Sequence, residues 1–396
     1  MPLRLCYPAH LGPMHEIPQT CEALLTHMVS FDTVNPDHGG PADGQARLAA
    51  HLERIAHAWG MHTTRREVSK GEYNLIVTLP PLPDAAWLLF ESHLDTVSLE
   101  GMTIPPLRIT VNGSRLHGRG TCDTKGSGAA MLWALKTFGA QPGRRLNAGV
   151  VFVVDEEAGM SGAQAFAAHD LQSFFPLIGI VVGEPTQFRP VVAHNGALRW
   201  RTITRGVAAH SSDPTKGRSA IHAMMAVVSA LESKMIPLAV REFPLTGRAA
   251  ASINVIRGGS AVNIIPDYCE ILCDRRLIPG ETLAQVLAER DRALEGLQVE
   301  NDQEFLAPPL PPENSSRLHG WITPALEKLG IDATAIGLCA ATDASHYAAA
   351  GAQVVVLGPG DIAQAHTKDE FLDRQELARA TSLYLEFLRL APPASQ

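Results

Sequence analysis

Three short apolar runs constrain this chain more than anything else in it: Trp87-Leu88-Leu89-Phe90, Gly149-Val150-Val151-Phe152-Val153-Val154 and Ile178-Gly179-Ile180-Val181-Val182. None is interrupted by a polar residue, which fits strands buried on both faces of a mostly parallel sheet. Each runs into acids or an imidazole: Ser92-His93-Leu94-Asp95, Asp155-Glu156-Glu157 and Gly183-Glu184-Pro185-Thr186. Two more clusters, Arg119-Gly120-Thr121-Cys122-Asp123 and Ala365-His366-Thr367, have the same character. Such groups are costly beside buried strands unless something pairs with them. A pair of divalent cations would pair with all of them at once. Open α/β sheets gather ligands at the carboxyl ends of their strands, so the runs are expected to deliver their polar ends to one edge.

At 396 residues the chain is too long for one ordinary core, and two domains are expected. The first half alternates helix and strand. Leu48, Leu52, Ile55 and Trp59 recur at helical spacing before Gly60, Asn74 to Leu79 reads as a strand, and Gly126 to Phe138 as an Ala-rich crossover helix. After Thr186 the texture changes. Leu198 to Arg205, Ser252 to Arg257 and Tyr268 to Arg276 alternate apolar and polar residues, as half-exposed antiparallel strands do. Ile221, Met224, Val228 and Leu231 mark one helix between them, and Thr282 to Leu294 a second. Pro308-Pro309-Leu310-Pro311-Pro312 is a stiff linker. Beyond it come a helix near Ser315 to Leu329, a strand at Gln353 to Leu357 and a last helix from Arg374 to Leu388. The expected fold is α/β, a mostly parallel sheet flanked by helices. It would be a discontinuous domain of residues 1–190 and 305–396, interrupted by an α+β insertion over 191–304.

Apolar content of 45% and charged content of 19% suit a soluble globular protein. A net charge of −8 gives no basic footprint for nucleic acid. No run approaches the roughly 20 apolar residues of a membrane span. Met1 to Gln19 is broken by Pro2, Pro8, Pro13 and Pro18 and lacks an apolar signal core. The six cysteines form no C-x-x-C pair, and Cys269 and Cys273 are too far apart along a strand for a disulfide. A reducing cytoplasm is the expected location.

In an extended segment residues i and i+2 face the same way, so His93 and Asp95 can meet, the aspartate accepting from the far ring nitrogen of a metal-bound imidazole. Asp123 lies in a Gly-rich turn (Gly118, Gly120, Gly126), where both its oxygens could bridge two ions; an ordinary turn or N-cap aspartate is the competing reading. Glu156 and Glu157 are adjacent and point to opposite sides. One can hold a metal while the other acts as general base, and an amide hydrolase needs that division: a metal lowers the pKa of bound water towards about 7 and the free carboxylate takes its proton. With Glu184 and His366 the set is two imidazoles and three carboxylates, which suits zinc, with cobalt or manganese able to substitute. Cys122 reads as a packing residue.

These clusters resemble the co-catalytic metallopeptidase and deacylase family that includes acetylornithine deacetylase, succinyl-diaminopimelate desuccinylase, glutamate carboxypeptidase and the aminoacylases. Ser-His-Leu-Asp-Thr-Val (92–97), Gly-Arg-Gly-Thr-Cys-Asp-Thr-Lys-Gly (118–126), Asp-Glu-Glu (155–157), Gly-Glu-Pro-Thr (183–186) and His-Thr-Lys-Asp-Glu (366–370) stand in family order, and the likeness runs from about Glu16 to Leu388. Gly-Glu-Pro-Thr, His-Asn-Gly-Ala (194–197) and Gly-Val-Ala-Ala-His-Ser-Ser-Asp-Pro (206–214) lean towards the acetylornithine deacetylases. The resemblance implies that His93 and Glu184 hold one metal, Glu157 and His366 the other, and that Asp123 bridges them. It implies that Asp95 orients His93 and that Glu156 is the general base. The insertion becomes a lid and dimerisation domain whose His210 reaches the partner subunit's site and polarises the scissile carbonyl. Asn263, Arg276 and Thr342 become substrate-facing residues, Arg276 either for a substrate carboxylate or in an ion pair with Asp274. Glutamate at 184, where aminopeptidases of the family usually have aspartate, favours an N-acyl amino acid. Departures are Ser92 for the usual glycine, Ser98 for a proline, and the loop Cys339-Ala340-Ala341-Thr342-Asp343-Ala344-Ser345-His346. The implied protein is a cytosolic homodimeric di-zinc amidohydrolase that removes a small acyl group from an N-acyl amino acid. A carboxypeptidase, dipeptidase or desuccinylase on the same site is the alternative, and a non-catalytic amino-acid-binding descendant a remote one.

Overall fold

A computed structural model describes residues 16–392. The proline-broken stretch read above for a signal core lies, up to residue 15, outside the described residues. The chain begins with α1 (Cys21–Val29), α2 (Gly44–Ala58), β1 (His62–Ser69), β2 (Glu72–Thr78) and β3 (Trp87–His93). It continues through α3 (Lys125–Gly139), β4 (Asn147–Val153), α4 (Ser161–His169), β5 (Leu177–Val182) and β6 (Val191–His194). Then come β7 (Gly196–Arg205), α5 (Ala220–Ala230), β8 (Ala250–Gly258), β9 (Tyr268–Leu277), α6 (Leu283–Ala293) and β10 (Glu300–Ala307). The last part is α7 (Ser316–Lys328), β11 (Ile336–Leu338), α8 (Ala344–Ala349), β12 (Val354–Val356) and α9 (Arg374–Arg389).

The main sheet has eight strands in the order β1-β2-β4-β3-β5-β12-β6-β11. Pairs β3–β4, β3–β5, β5–β12 and β6–β11 are parallel; β1–β2, β2–β4 and β12–β6 are antiparallel. The α/β layering expected from the apolar runs is present, with a sheet that is mixed. Its parallel heart is where those runs lie: every residue of β4 is buried. Helices α1, α2, α3, α7 and α9 cover one face and α4 and α8 the other, each layer closing its own core. Strand β1 escapes the hydrophobic pattern because His62-Thr63-Thr64-Arg65-Arg66-Glu67 is polar on both faces, as an outermost strand can be.

The second sheet, in the order β8-β9-β7-β10, is antiparallel throughout. Helices α5 and α6 pack on one of its faces around Trp200, Met224, Ile271 and Val286. Thr282 starts α6 with a capping box to Gln285. Chain entry and exit are bonded to each other: His194 N–H donates to Leu310 O at 3.1 Å and Leu310 N–H to His194 O at 3.0 Å. One helical stretch among the described residues, Ala220–Leu238, is long and apolar enough to cross a membrane by length and composition. It exceeds the sequence expectation because α5 runs on through two further helical turns to Leu238. Its inner face packs in the core of this second unit.

Candidate metal centre and active site

The polar ends meet at one edge of the main sheet. His93 closes β3 and is buried, its Nε2 3.1 Å from Asp123 Oδ1 and 4.0 Å from Glu184 Oε1. Glu184 follows β5 by two residues. Asp123 lies in the turn before α3, and Glu157 in the turn after β4. On the other side of Asp123, its Oδ2 is 3.3 Å from His366 Nε2, which is 3.1 Å from Glu157 Oε2. Asp123 therefore gives one oxygen to each side. Donor atoms of His93, Asp123 and Glu184 lie within 4.8 Å of one another, as do those of Asp123, Glu157 and His366. Each triad matches the spacing of nitrogen and oxygen ligands about a small divalent ion, and no thiol takes part: Cys122 is buried against Asp361 O.

The loops around these ligands are bonded to each other. Asp95 is fully buried, and its carboxylate is held by the backbone of the loop after β4. Its Oδ1 accepts from Glu156 N–H and its Oδ2 from Glu157 N–H, both at 3.1 Å. His93 Nδ1 lies 3.0 Å from Asp95 O and 3.5 Å from the carboxylate, so the backbone carbonyl is its nearer partner. Asn35, buried and missed in the sequence, donates from Nδ2 to Asp95 Oδ2 at 2.8 Å and to Asp155 Oδ1 at 3.0 Å. Ser92 stands 2.9 Å from Thr124 Oγ1, tying β3 to the Asp123 turn. Gly126 must be small, since a Cβ there would sit 2.4 Å from Thr121 O. Thr186 and Gly358 bond to each other, joining the Glu184 loop to the one leading to His366.

Burial lifts Glu156 and Glu184 well above the usual carboxylate range, and the charges of Asp123 and Asp343 add to it, while His93 opposes it. Burial alone would raise Asp123, but His366 and His93 overcome it and hold it low. Hydrogen bonds to Asp123 and Glu157 push His366 up to about 10. Glu91, two residues before His93 on the same strand face, is buried and pushed up to about 8 by burial. Asp343 is also buried, and its oxygens have no hydrogen-bond partner among the described residues. The one lysine buried among the described residues, Lys125, donates its ammonium to Phe31 O at 3.2 Å. A site so rich in acid and poor in cationic side chains fits a pair of divalent ions.

The remaining expected residues lie apart. His210 is exposed on the second unit, its Nδ1 2.7 Å from Ser212 Oγ. Asn263 is exposed and accepts Ser211 N–H through its carbonyl. Arg276 Nε donates to Asp274 Oδ1 at 2.8 Å, the ion-pair alternative named above. Thr342 is buried with its Oγ1 3.2 Å from His194 Nε2. Among the described residues, no hydrogen bond or ion pair joins any of these four to the candidate metal ligands.

Residues 89–390 match the family described as Peptidase family M20/M25/M40. The chain belongs to peptidase family M20/M25/M40. It is 29% identical over 380 residues to an acetylornithine deacetylase of Edwardsiella ictaluri, covering 92% of this chain and 96% of the relative. It is 33% identical over 318 residues to the acetylornithine deacetylase of Photorhabdus laumondii, with 76% and 79% covered. Among solved structures, an M20 family metallo-carboxypeptidase from Sulfolobus solfataricus shares the fold with a TM-score of 0.78 at 16% identity, over 94% of this chain and 99% of that one. Membership makes this chain a hydrolase of amide bonds. The two triads about Asp123 are this M20 member's candidate metal-binding groups.

Proposed function

We propose that this M20 protein is a di-metal amidohydrolase that removes a small acyl group from an N-acyl amino acid, as its acetylornithine deacetylase relatives are named for doing. The observation that carries the reading is the division at 156–157. Glu157 joins the His366 triad, while Glu156, whose backbone Asp95 holds, is in neither triad. His93 and Glu184 would hold one ion, Glu157 and His366 the other, and Asp123 would bridge them. Zinc suits these donors, with cobalt as a substitute. When bound, the ions would supply Lewis-acid polarisation of the amide carbonyl and activation of a water. Glu156 would take the proton from that water and return it to the departing amine.

The unit over about 191–304 is read as a lid and dimerisation domain of a cytoplasmic homodimer. Support comes from the outward face of α5 and the segment after it, where Met225 is 65% and Val240 68% exposed. Exposed apolar patches on such units mark association surfaces. Across that dimer the partner subunit's His210 would complete the oxyanion site, and Arg276, Asn263 and Thr342 would face substrate. A screen of N-acetyl amino acids against N-acyl-glutamates and dipeptides, with added zinc or cobalt, tests the substrate class. Cleavage of dipeptides with no N-acetyl amino acid turned over would replace this reading with the peptidase one, which the fold shared with a metallo-carboxypeptidase favours.

A further inference from the structure

Glu370 lies four residues beyond His366 and is completely buried. Its carboxylate is not one of the donor groups of either triad. It accepts instead from the loop that carries Asp123: Cys122 N–H at 2.8 Å and Asp123 N–H at 3.1 Å on Oε1, Gly120 N–H at 3.0 Å and Arg119 Nη1 at 2.8 Å on Oε2. Three backbone donors of one turn and a guanidinium close around one anion, the arrangement a loop offers to a bound phosphate. The surrounding backbone continues the connection. Gly118 N–H donates to Glu370 O at 3.1 Å, His117 Nδ1 lies 3.0 Å from Asp369 O, and Phe371–Asp373 pairs antiparallel with Arg115–His117. His366 itself sits at φ +60°, a conformation its side chain does not favour and that its surroundings must hold.

We infer that Glu370 is a positioning residue for the metal centre: it fixes the distance between the Asp123 loop and the His366 loop before any ion arrives. The inference rests on the di-metal reading above. Both loops feed the Asp123–Glu157–His366 triad, whereas only one feeds the His93–Asp123–Glu184 triad. Loss of Glu370 therefore weakens the first triad more than the second. Glutamine at 370 keeps the shape and removes the fit. Whichever way its amide turns, the NH2 faces two donors.

The test is calorimetric titration of the metal-free, full-length chain with Zn2+ alone, in wild type, Glu370→Gln, His366→Ala and Glu184→Ala. The expected result is that Glu370→Gln weakens the binding step lost in His366→Ala by about 10- to 100-fold, the range for outer-sphere partners of metal ligands. The step lost in Glu184→Ala shifts less. Circular dichroism of the metal-free variant checks that it folds. Should Glu370→Gln not fold, Arg119→Lys, which leaves the carboxylate and its three backbone donors, carries the same comparison with a smaller shift of the same sign. Equal weakening of both steps, or no change in either, overturns the positioning role. A wild-type chain that takes up no Zn2+ overturns the metal reading and this inference with it, whereas two ions bound alike by wild type and variant overturn the inference alone.

Discussion

At the scale of single residues, the site separates candidate ion-holding groups from the groups that hold them in place. Glu156→Gln tests the first kind. It removes a proton acceptor without altering either triad, so kcat is expected to fall about 10²- to 10⁴-fold with zinc content by elemental analysis unchanged. Normal turnover would remove Glu156 as the base. Asn35→Ala tests the second kind. It strips a buried donor from Asp95 and Asp155 at once, so a loss of about 1–3 kcal/mol in urea unfolding is expected, with a fall in kcat because Asp95 carries the backbone of Glu156. Among the candidate ion-holding groups, His93, Glu157 and Glu184 left a mark in the sequence because each stands just beyond an apolar run, where an acid or imidazole needs a reason, whereas Asp123 and His366 stood out through the resemblance. Asn35, Glu91, Asp343 and Glu370 did not stand out. Asn35 works from a loop far along the chain from the residues it holds and carries no pattern, and Glu370, though it closes the 366–370 motif, gives no sign in the sequence of the turn it holds. Glu91 left a faint mark, a charge within a strand otherwise buried on both faces.

At the scale of elements, the contact between the Asp123 turn and α3 is made at Gly126. Thr121 O is backbone and cannot yield, so Gly126→Ala is expected to lower the melting temperature by several degrees and to weaken metal uptake together. A variant with unchanged melting and zinc content would show that the turn adapts. The outer face of α5 gives a second expectation: Met225→Lys combined with Ile221→Lys yields a monomer in light scattering while the far-ultraviolet spectrum stays native. Dimers at the same concentration would exclude this face from the interface. Buried strands were readable because both of their faces are apolar. The direction of pairing was not, since β2 runs against both its neighbours and β6 against β12 through connections that hydropathy does not encode. The polar outer strand β1 had no signal to read.

At the scale of the whole molecule, the hydrophobic clusters divide cleanly. Those of the main sheet draw on no residue between Gly196 and Ala307, and the one about Trp200 and Ile271 draws on nothing else. Two cores with so little in common are expected to unfold in two calorimetric steps, only the step of the main sheet moving when zinc is chelated. A single step that moves as a whole would refute their independence. Acid weakens the chain in a defined window. Burial holds His194 and His346 down to about 4, against an ordinary value of 6.5. The unfolded chain then binds the protons that the folded chain refuses, so stability is complete above pH 6.5 and falls as pH drops towards 4. Each histidine contributes a slope of about 1.4 kcal/mol per pH unit in the middle of that range. Urea midpoints at pH 7, 5.5 and 4.5 in His194→Gln and wild type measure it; parallel lines would exclude His194 as a source.

The bond between His194 and Leu310 gives the second unit a meaning in terms of descent and engineering. Chain leaves and re-enters the main sheet at one point, already closed by two hydrogen bonds. Everything between is, to the sheet, a tethered accessory whose loop ends cost nothing further to bring together. Such an accessory can lengthen, shrink or be exchanged for another without asking any metal ligand to move, because all five candidate ligands lie outside it.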